Sequence, residues 1–457
     1  MKQREEKDSL GTVNVPADAY YGAQTERARQ NTIHSGLRLP MAFIRALALI
    51  KRFAAEVNVE LKRLDPDVAQ AIIDSAREVA EGGLEEAFVV DLFQTGSGTS
   101  TNMNMNEVIA AHANERLNGI IGGKSPVHPN DHVNLGQSSN DVIPTALHIS
   151  ALMAVTLELL PRFETLWQAL AEKAAQWGDI RKIGRTHLQD AVPIFLGDEF
   201  SAYARQVALS MVRIKSASKG MRELALGGTA VGNGMNTPPV FAAKVIKKIN
   251  RHLDMAFLEA ENRFEAQAAR DAAVEMSGTL KSAAVSLMKI ADDLRWLASG
   301  PRCGLGEIQL PALQPGSSIM PGKVNPVVPE MVLQAAAQVI GNDTAITLAG
   351  QKGQFELNTM QPLIAYNLLL SIRLLGESAR LLAEKCIKGI KANREKCEGY
   401  VEESLALATY LVPRLGYDRA AELSMLAHQT GKTIRQIVIE NKVLTSAEFD
   451  DLIGEDQ

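Results

Sequence analysis

Gln314-Pro315-Gly316-Ser317-Ser318-Ile319-Met320-Pro321-Gly322-Lys323-Val324-Asn325-Pro326 joins two helix-like segments with a run unlike an ordinary connector. Glycine permits positive φ or close approach, and proline fixes φ and removes a donor. A segment both constrained and rich in donors fits a rigid loop built to hold an anion, with Ser317 and Lys323 as its reactive groups. A plain surface loop is the ordinary reading of such composition. The residues that follow weigh against it. Pro326 and Pro329 suit the first turn of a helix, and Glu330 stands near that N-terminus, where a carboxylate is favoured. Lys323 and Glu330 could then meet at one helix mouth.

Other segments carry similar donors. Gln94-Thr95-Gly96-Ser97-Gly98-Thr99-Ser100-Thr101-Asn102-Met103-Asn104 precedes a helix expected over 105–117, a pattern suited to anions at a helix N-terminus. It lacks the lysine and spacing of a Walker loop. Gln137-Ser138-Ser139-Asn140-Asp141 opens another helix with strong capping residues, and Pro144 falls just inside it. Gly184-Arg185-Thr186-His187-Leu188-Gln189-Asp190 lies between two long helical segments. A lone histidine is usually structural, but beside Thr186 in this place His187 is a candidate donor or acid/base group. In His128-Pro129-Asn130-Asp131-His132 the histidines are four apart, yet Pro129 argues against a regular helix and no H-E-x-x-H glutamate is present. A capped turn or an accessory polar site is expected there, without a metal.

Between these loops apolar residues recur at three- and four-residue intervals. Ile44, Leu47, Ile50, Ala54, Val57 and Leu61 mark a helix from Pro40, and a shorter one is expected over 66–81. A stripe from Leu152 to Trp177 marks a helix from about 141 to 177, roughly 50 Å long, which Pro161 should kink or divide. Further helices are expected over 196–223, 238–253, 327–349 and 359–385. Over 268–298, Leu280, Ala284, Leu287, Ala291, Leu294 and Ala298 form a bundle seam. Asn342 and Asp343 interrupt the stripe of 327–349. Residues 1–40 read as irregular, with Arg27 and Arg29 on a solvated face, and Gly227 to Gly234 as a flexible structural turn. The expected architecture is all-α: an N-terminal domain over 1–137, a central long-helix bundle over 138–395 and a small helical domain over 396–457.

The chain has 457 residues, more than one ordinary core holds. Hydrophobic residues make up 46% but aromatics only 5%, which favours close helix packing over β architectures. A net charge of −5 leaves no footprint for nucleic acid, while local donors can still hold a small anion. Cys303, Cys386 and Cys397 lack C-x-x-C spacing and fit reduced thiols. Met1 to Leu10 has no apolar signal core, and no charge-free apolar run reaches transmembrane length. A cytoplasmic protein without membrane partners is expected. The donor loops show no cofactor fingerprint and suit a small polycarboxylate held by neutral hydrogen bonds and one ammonium. Asn140 begins the long helix and His187 follows its end, so a site using both would draw them from different subunits of a homo-oligomer.

The run from Gly316 to Pro326 resembles the signature of the fumarase/aspartase superfamily, and the likeness extends from Val15-Pro16-Ala17-Asp18 to the C-terminal region. Thr95 to Thr99, Ser138 to Asp141 and Gly184 to Asp190 are similar to motifs of its class II fumarate hydratases. The resemblance implies a three-domain fold, a homotetramer with a twenty-helix central core, and active sites shared by three subunits. It also implies metal- and cofactor-independent, reversible anti addition of water to fumarate, giving L-malate through an aci-carboxylate. By the same resemblance Ser317 is the base, and Thr186 and His187 bind substrate and assist the water. Ser97, Gly98, Thr99, Ser138, Ser139, Asn140, Ser318, Lys323, Val324 and Asn325 would hold the two carboxylates. Glu330 would act through Lys323, and His128, Pro129, Asn130 and Asp131 would match an accessory anion site. The chemistry is consistent with this set: an aci-carboxylate is doubly charged, and serine is a base only where fixed donors stabilise its alkoxide.

Aspartate ammonia-lyase shares the fold and most of the signature. Ser138-Ser139 and Pro315 favour the hydratase, whereas Asp131-His132 and Val327-Val328-Pro329-Glu330 resemble the ammonia-lyases. Asn233 stands where threonine is usual in the Val231-Gly232 turn. A Ser–Lys amidohydrolase would use Ser317 as nucleophile, but the G-x-S-x-G elbow is missing. A catalytically silent homologue on the same fold is the remaining reading.

Overall fold

The computed structural model of the chain describes residues 2–454; Met1 of the expected N-terminal domain and 455–457 of the expected C-terminal one lie outside the described residues. Helix accounts for 63% and strand for 8%, the strands forming five separate two-stranded ribbons. The segment read as irregular is in fact ordered. An antiparallel hairpin, β1 (Gln3–Asp8) and β2 (Gly11–Pro16), leads to helix α1 (Ala23–Gln30). Arg27, expected on a solvated face, donates to Asp8 at 2.7 Å and ties α1 to the hairpin. Arg29 pairs with Glu26 at 2.8 Å, one turn away.

Helices α2 (Met41–Glu60), α3 (Pro66–Ala80) and α4 (Thr99–Asn118) follow. Next come α5 (Ser139–Gln176), the hairpin β3 (Arg181–Thr186) and β4 (Gln189–Phe195), α6 (Leu196–Ala217) and α7 (Phe241–Leu253). The long helices α8 (Asp271–Leu297), α9 (Val327–Gly350) and α10 (Gln361–Leu381) complete the set expected from periodicity. Short helices α11 (Arg394–Glu403), α12 (Tyr417–Thr430), α13 (Ile434–Glu440) and α14 (Ser446–Gly454) close the chain.

Pro161 does not divide α5. A π-helical turn over Val155–Leu159 widens the helix just ahead of it, which makes room for the ring and absorbs the missing N–H. The helix continues for 38 residues, about 57 Å at 1.5 Å per residue. Its apolar window is long enough to cross a membrane by length and composition, but 67% of that window is buried inside the protein, which accounts for its apolarity.

α4 begins six residues earlier than expected. Asn102, Asn104 and Asn106 argue locally for a loop, because asparagine competes with the helix for backbone bonds. Here they are buried and bonded outward. Asn104 accepts from Val89 N at 3.2 Å and donates to Ala87 O at 3.0 Å. Asn342 and Asp343, the interruption in α9, are similarly paired: Asn342 donates to Ser371 Oγ at 3.0 Å, and Asp343 accepts from Ser277 at 2.8 Å and Lys281 at 2.6 Å.

By proximity the chain forms two compact units. The first comprises Met1–Pro161, Ser210–Ala284 and Ala335–Gly376; the second comprises Arg162–Leu209, Val285–Gln334 and Glu377–Gln457. This grouping is spatial, whereas the sequence division at 137/138 and 395/396 follows chain order. In the first unit α2 packs on α3, α5 and α7, burying Leu47, Ile50, Val57, Ile72 and Val142. In the second, Leu407, Leu411, Leu423, Ile434 and Phe449 from the chain's end form one core with Ile183 of β3. The C-terminal helices therefore hold the hairpin that carries His187.

Candidate functional site

The expected donors fall into two groups, one in each unit. In the first unit a chain of hydroxyls joins the N-termini of α4 and α5. Ser97 Oγ lies 2.7 Å from Thr99 Oγ1, which lies 2.7 Å from Ser139 Oγ. Both helices present their positive ends here, the usual means of holding a small anion. Two glycines make the approach possible. A Cβ on Gly96 would stand 1.5 Å from Thr359 O, and Gly98, at φ +73°, turns the chain into α4.

Asn140 and Asp141 fix the mouth of α5. Ser138 Oγ accepts from Asn140 N at 3.2 Å, and Asp141 Oδ1 accepts from Ser138 N at 2.9 Å within a capping box. The other oxygen of Asp141 accepts from Gly227 N and Thr229 N, each at 3.0 Å, while Asn140 donates to Ala230 O at 2.8 Å. The Gly227 to Gly234 segment, read as a flexible turn, is instead the buttress of this helix mouth. Burial pushes the Asp141 carboxyl up to about 6, against the pull of its three N–H donors and the Lys51 charge.

Lys51 was not among the expected site residues. It is fully buried, and its ammonium donates to Asn102 Oδ1 at 2.7 Å and Asn134 Oδ1 at 3.0 Å. Burial lowers its pKa to about 7, with Asp141 opposing. A signal existed: Lys51 follows Leu47 by four residues and so shares its buried face.

The His128 to Asp131 segment is a capped turn, as one of the two readings had it. His128 Nδ1 accepts from Asn130 N at 3.1 Å and Asp131 N at 3.0 Å, opening a π-helical turn over Pro129–Val133. His132 Nδ1 accepts from His128 N at 3.0 Å, so both rings spend that nitrogen on backbone. Burial lowers the His128 pKa, and Asp131 opposes it. Among the described residues no group of three or more His, Cys, Asp or Glu is arranged to hold a metal ion.

In the second unit Thr186 and His187 stand exposed at the tip of the β3–β4 hairpin. Sequence periodicity did not disclose this hairpin. Its two turn residues, His187 (φ 57°) and Leu188 (φ 59°), are both left-handed, where Asn-Gly would be usual. Strain of this kind persists only where surrounding structure enforces it. The enforcement lies at the hairpin's base: buried Glu307 pairs with Lys182 at 3.2 Å and Arg185 at 2.9 Å, and Lys182 also meets Glu199 at 2.6 Å.

The Gly316 loop, also in this unit, is folded on itself. Gly316 N donates to Lys323 O at 2.8 Å, and Asn325 Nδ2 donates to Gly316 O at 2.7 Å. A Cβ at Gly316 would meet Lys323 O at 2.7 Å, so the pinch requires glycine. Ser317 Oγ accepts from Ile319 N at 3.2 Å and Met320 N at 2.9 Å. Hydrogen bonds donated to an oxygen favour its anionic form. Ser318, Lys323 and Val324 are exposed, and Lys323 and Glu330 form no ion pair among the described residues, contrary to the expectation that they meet.

Comparison with known proteins agrees with these features. Residues 11–341 match the family described as Lyase, and 407–454 match the Fumarase C C-terminus. A class II fumarate hydratase of Nitrosomonas europaea is 53% identical over 98% of this chain and 97% of its own length. The chain belongs to the class II fumarate hydratase family. The mitochondrial fumarate hydratase of Mus musculus is 51% identical over 98% of this chain and 89% of its own length. The crystal structure of class II fumarase from Schistosoma mansoni superposes with a TM-score of 0.94 at 41% identity, covering 99% of this chain and 98% of that one.

Proposed function

We propose that this chain catalyses the reversible hydration of fumarate to L-malate. The observation that carries the reading is 53% identity along 98% of the chain to a relative named for that activity. In the malate-to-fumarate direction, Ser317 Oγ as alkoxide takes the C3 proton. The electron pair moves into the adjacent carboxylate as an aci-carboxylate, whose collapse forms the double bond and releases the C2 hydroxyl as water with an added proton. Thr186 and His187 attend that hydroxyl. Ser97, Gly98, Thr99, Ser138, Ser139, Asn140, Ser318, Lys323, Val324 and Asn325 hold the carboxylates. The two N–H groups on Ser317 Oγ support its role as base. His128 to Asp131 are assigned to an accessory anion site.

The proposal includes a homotetramer with sites shared between subunits. One support is the length of α5, which spans 38 residues from Ser139 and stops short of the hairpin bearing His187. Another is α9, whose exposed stripe (Met331, Gln334, Ala337, Gln338, Gly341, Thr344 and Leu348) carries no charge. A Cβ at Gly341 would meet nothing within 4 Å, so the stripe leaves room for a close partner helix. Three free cysteines fit a reducing cytoplasm, the compartment we assign.

The test follows fumarate absorbance with and without ammonia. Loss of fumarate without ammonia, with malate formed, is the expected result. Loss that requires ammonia would replace the reading with aspartate ammonia-lyase, and no loss in either would point to the Ser–Lys amidohydrolase or silent readings.

A further inference from the structure

Lys51 presents a problem of charge. Its ammonium is 0% exposed, is held by two neutral amide oxygens and makes no ion pair among the described residues. The carboxylate whose charge reaches it, Asp141, already accepts three backbone N–H bonds. A buried ammonium without a contacting carboxylate is costly, and a methionine of similar length would fill the same space without that cost.

Its surroundings explain why a charge belongs here. Asn102 lies on the first turn of α4, three residues after Thr99. Asn134 follows the His128 turn, and its Nδ2 donates to Gln137 O at 3.1 Å, immediately before Ser138. Its Oδ1 also accepts from Asn102 at 3.2 Å and Asn106 at 3.1 Å. One ammonium thus links the segments that carry Ser97 and Thr99, His128 to Asp131, and Ser138 to Asn140.

We infer that Lys51 is a positioning residue that supplies, from beneath the α4 and α5 mouths, the countercharge for a bound dicarboxylate while its two asparagines space the donor segments. The inference rests on the dicarboxylate reading above. A buried charge is screened little by salt, and its attraction grows with the ligand's charge, so a dianion responds about twice as strongly, in free energy, as a monoanion.

The test compares succinate with propionate by equilibrium dialysis on the full-length wild type, Lys51→Met and Asn102→Asp. The second variant keeps the lysine and sets a carboxylate against its ammonium. Both variants are expected to bind succinate on the order of tenfold more weakly, and propionate only about threefold, the square root of that loss. An equal loss for the two acids in a folded variant would reduce Lys51 to a structural role and overturn the inference, as would no loss for either. If Lys51→Met does not fold, Lys51→Gln, which removes the charge but keeps a donor for Asn102 and Asn134, decides in its place. A wild type that binds neither acid would remove the dicarboxylate reading, and this inference with it.

Discussion

The hydroxyl chain at the mouths of α4 and α5 and the donors of the Thr186 and Gly316 loops are held in different ways. At the helix mouths Ser97, Thr99 and Ser139 bond to one another, and Asp141 ties their base to the Gly227 segment. The hairpin and loop are instead anchored at their feet and open at their tips. Glu307 clamps Lys182 and Arg185, while His187 is exposed and Ile319 is 83% exposed. Groups that bind can be built into helix ends within one chain. The groups proposed above to react sit on stiff projections, an arrangement that fits the proposed sharing of the site between subunits.

Removing the reactive oxygen gives the largest expected effect. Ser317→Ala should lower kcat by roughly 10³-fold or more while leaving the oligomer and melting temperature unchanged. Near-wild-type turnover would reassign the base. The helix-mouth region should answer in stability instead. Gly96→Ala forces a Cβ to within 1.5 Å of Thr359 O, and urea unfolding is expected to show a loss of about 3 kcal/mol or more. A change under about 1 kcal/mol would mean that this region yields as readily as the exposed tips.

The buried charge of that region has a pH signature. Burial holds the Lys51 pKa near 7, below its ordinary 10.5, so between these values the unfolded chain binds more protons and stability from this group rises with pH. Lys51→Met should therefore be more stable than wild type near pH 7, and the gap should shrink toward pH 10. Melting curves across that range check it, and a constant gap would show that the buried lysine stays charged throughout, with its pKa not lowered. The smallest effect is expected at the hairpin tip. Leu188→Gly relieves a left-handed leucine and should add about 0.5–1 kcal/mol of stability while loosening His187 and lowering kcat modestly. Unchanged stability would mean that the hairpin's base does not enforce strain.

Much of this protein was legible along the chain because its signals are local. Buried faces recurring at helical spacing marked α2, α8 and α9, and the Leu280 to Leu294 seam is buried as its period requires. The capping spacing of Ser138 and Asp141 marked the mouth of α5, and the Gly/Pro composition of 314–326 marked a constrained loop, since those properties reside in residue type and short separation. Tertiary structure decided what depends on distant partners. Asparagines that favour a loop became the start of α4 because the backbone at Ala87 and Val89 satisfies Asn104, and the Gly227 segment became a buttress because Asp141 reaches it across 86 residues. The His187 hairpin depends on a glutamate more than a hundred residues away, and the Lys51 ammonium is satisfied only where two distant segments meet it, at Asn102 and Asn134. Local propensity is summed over neighbours in sequence, whereas the cost of burying a polar or charged group is settled by neighbours in space.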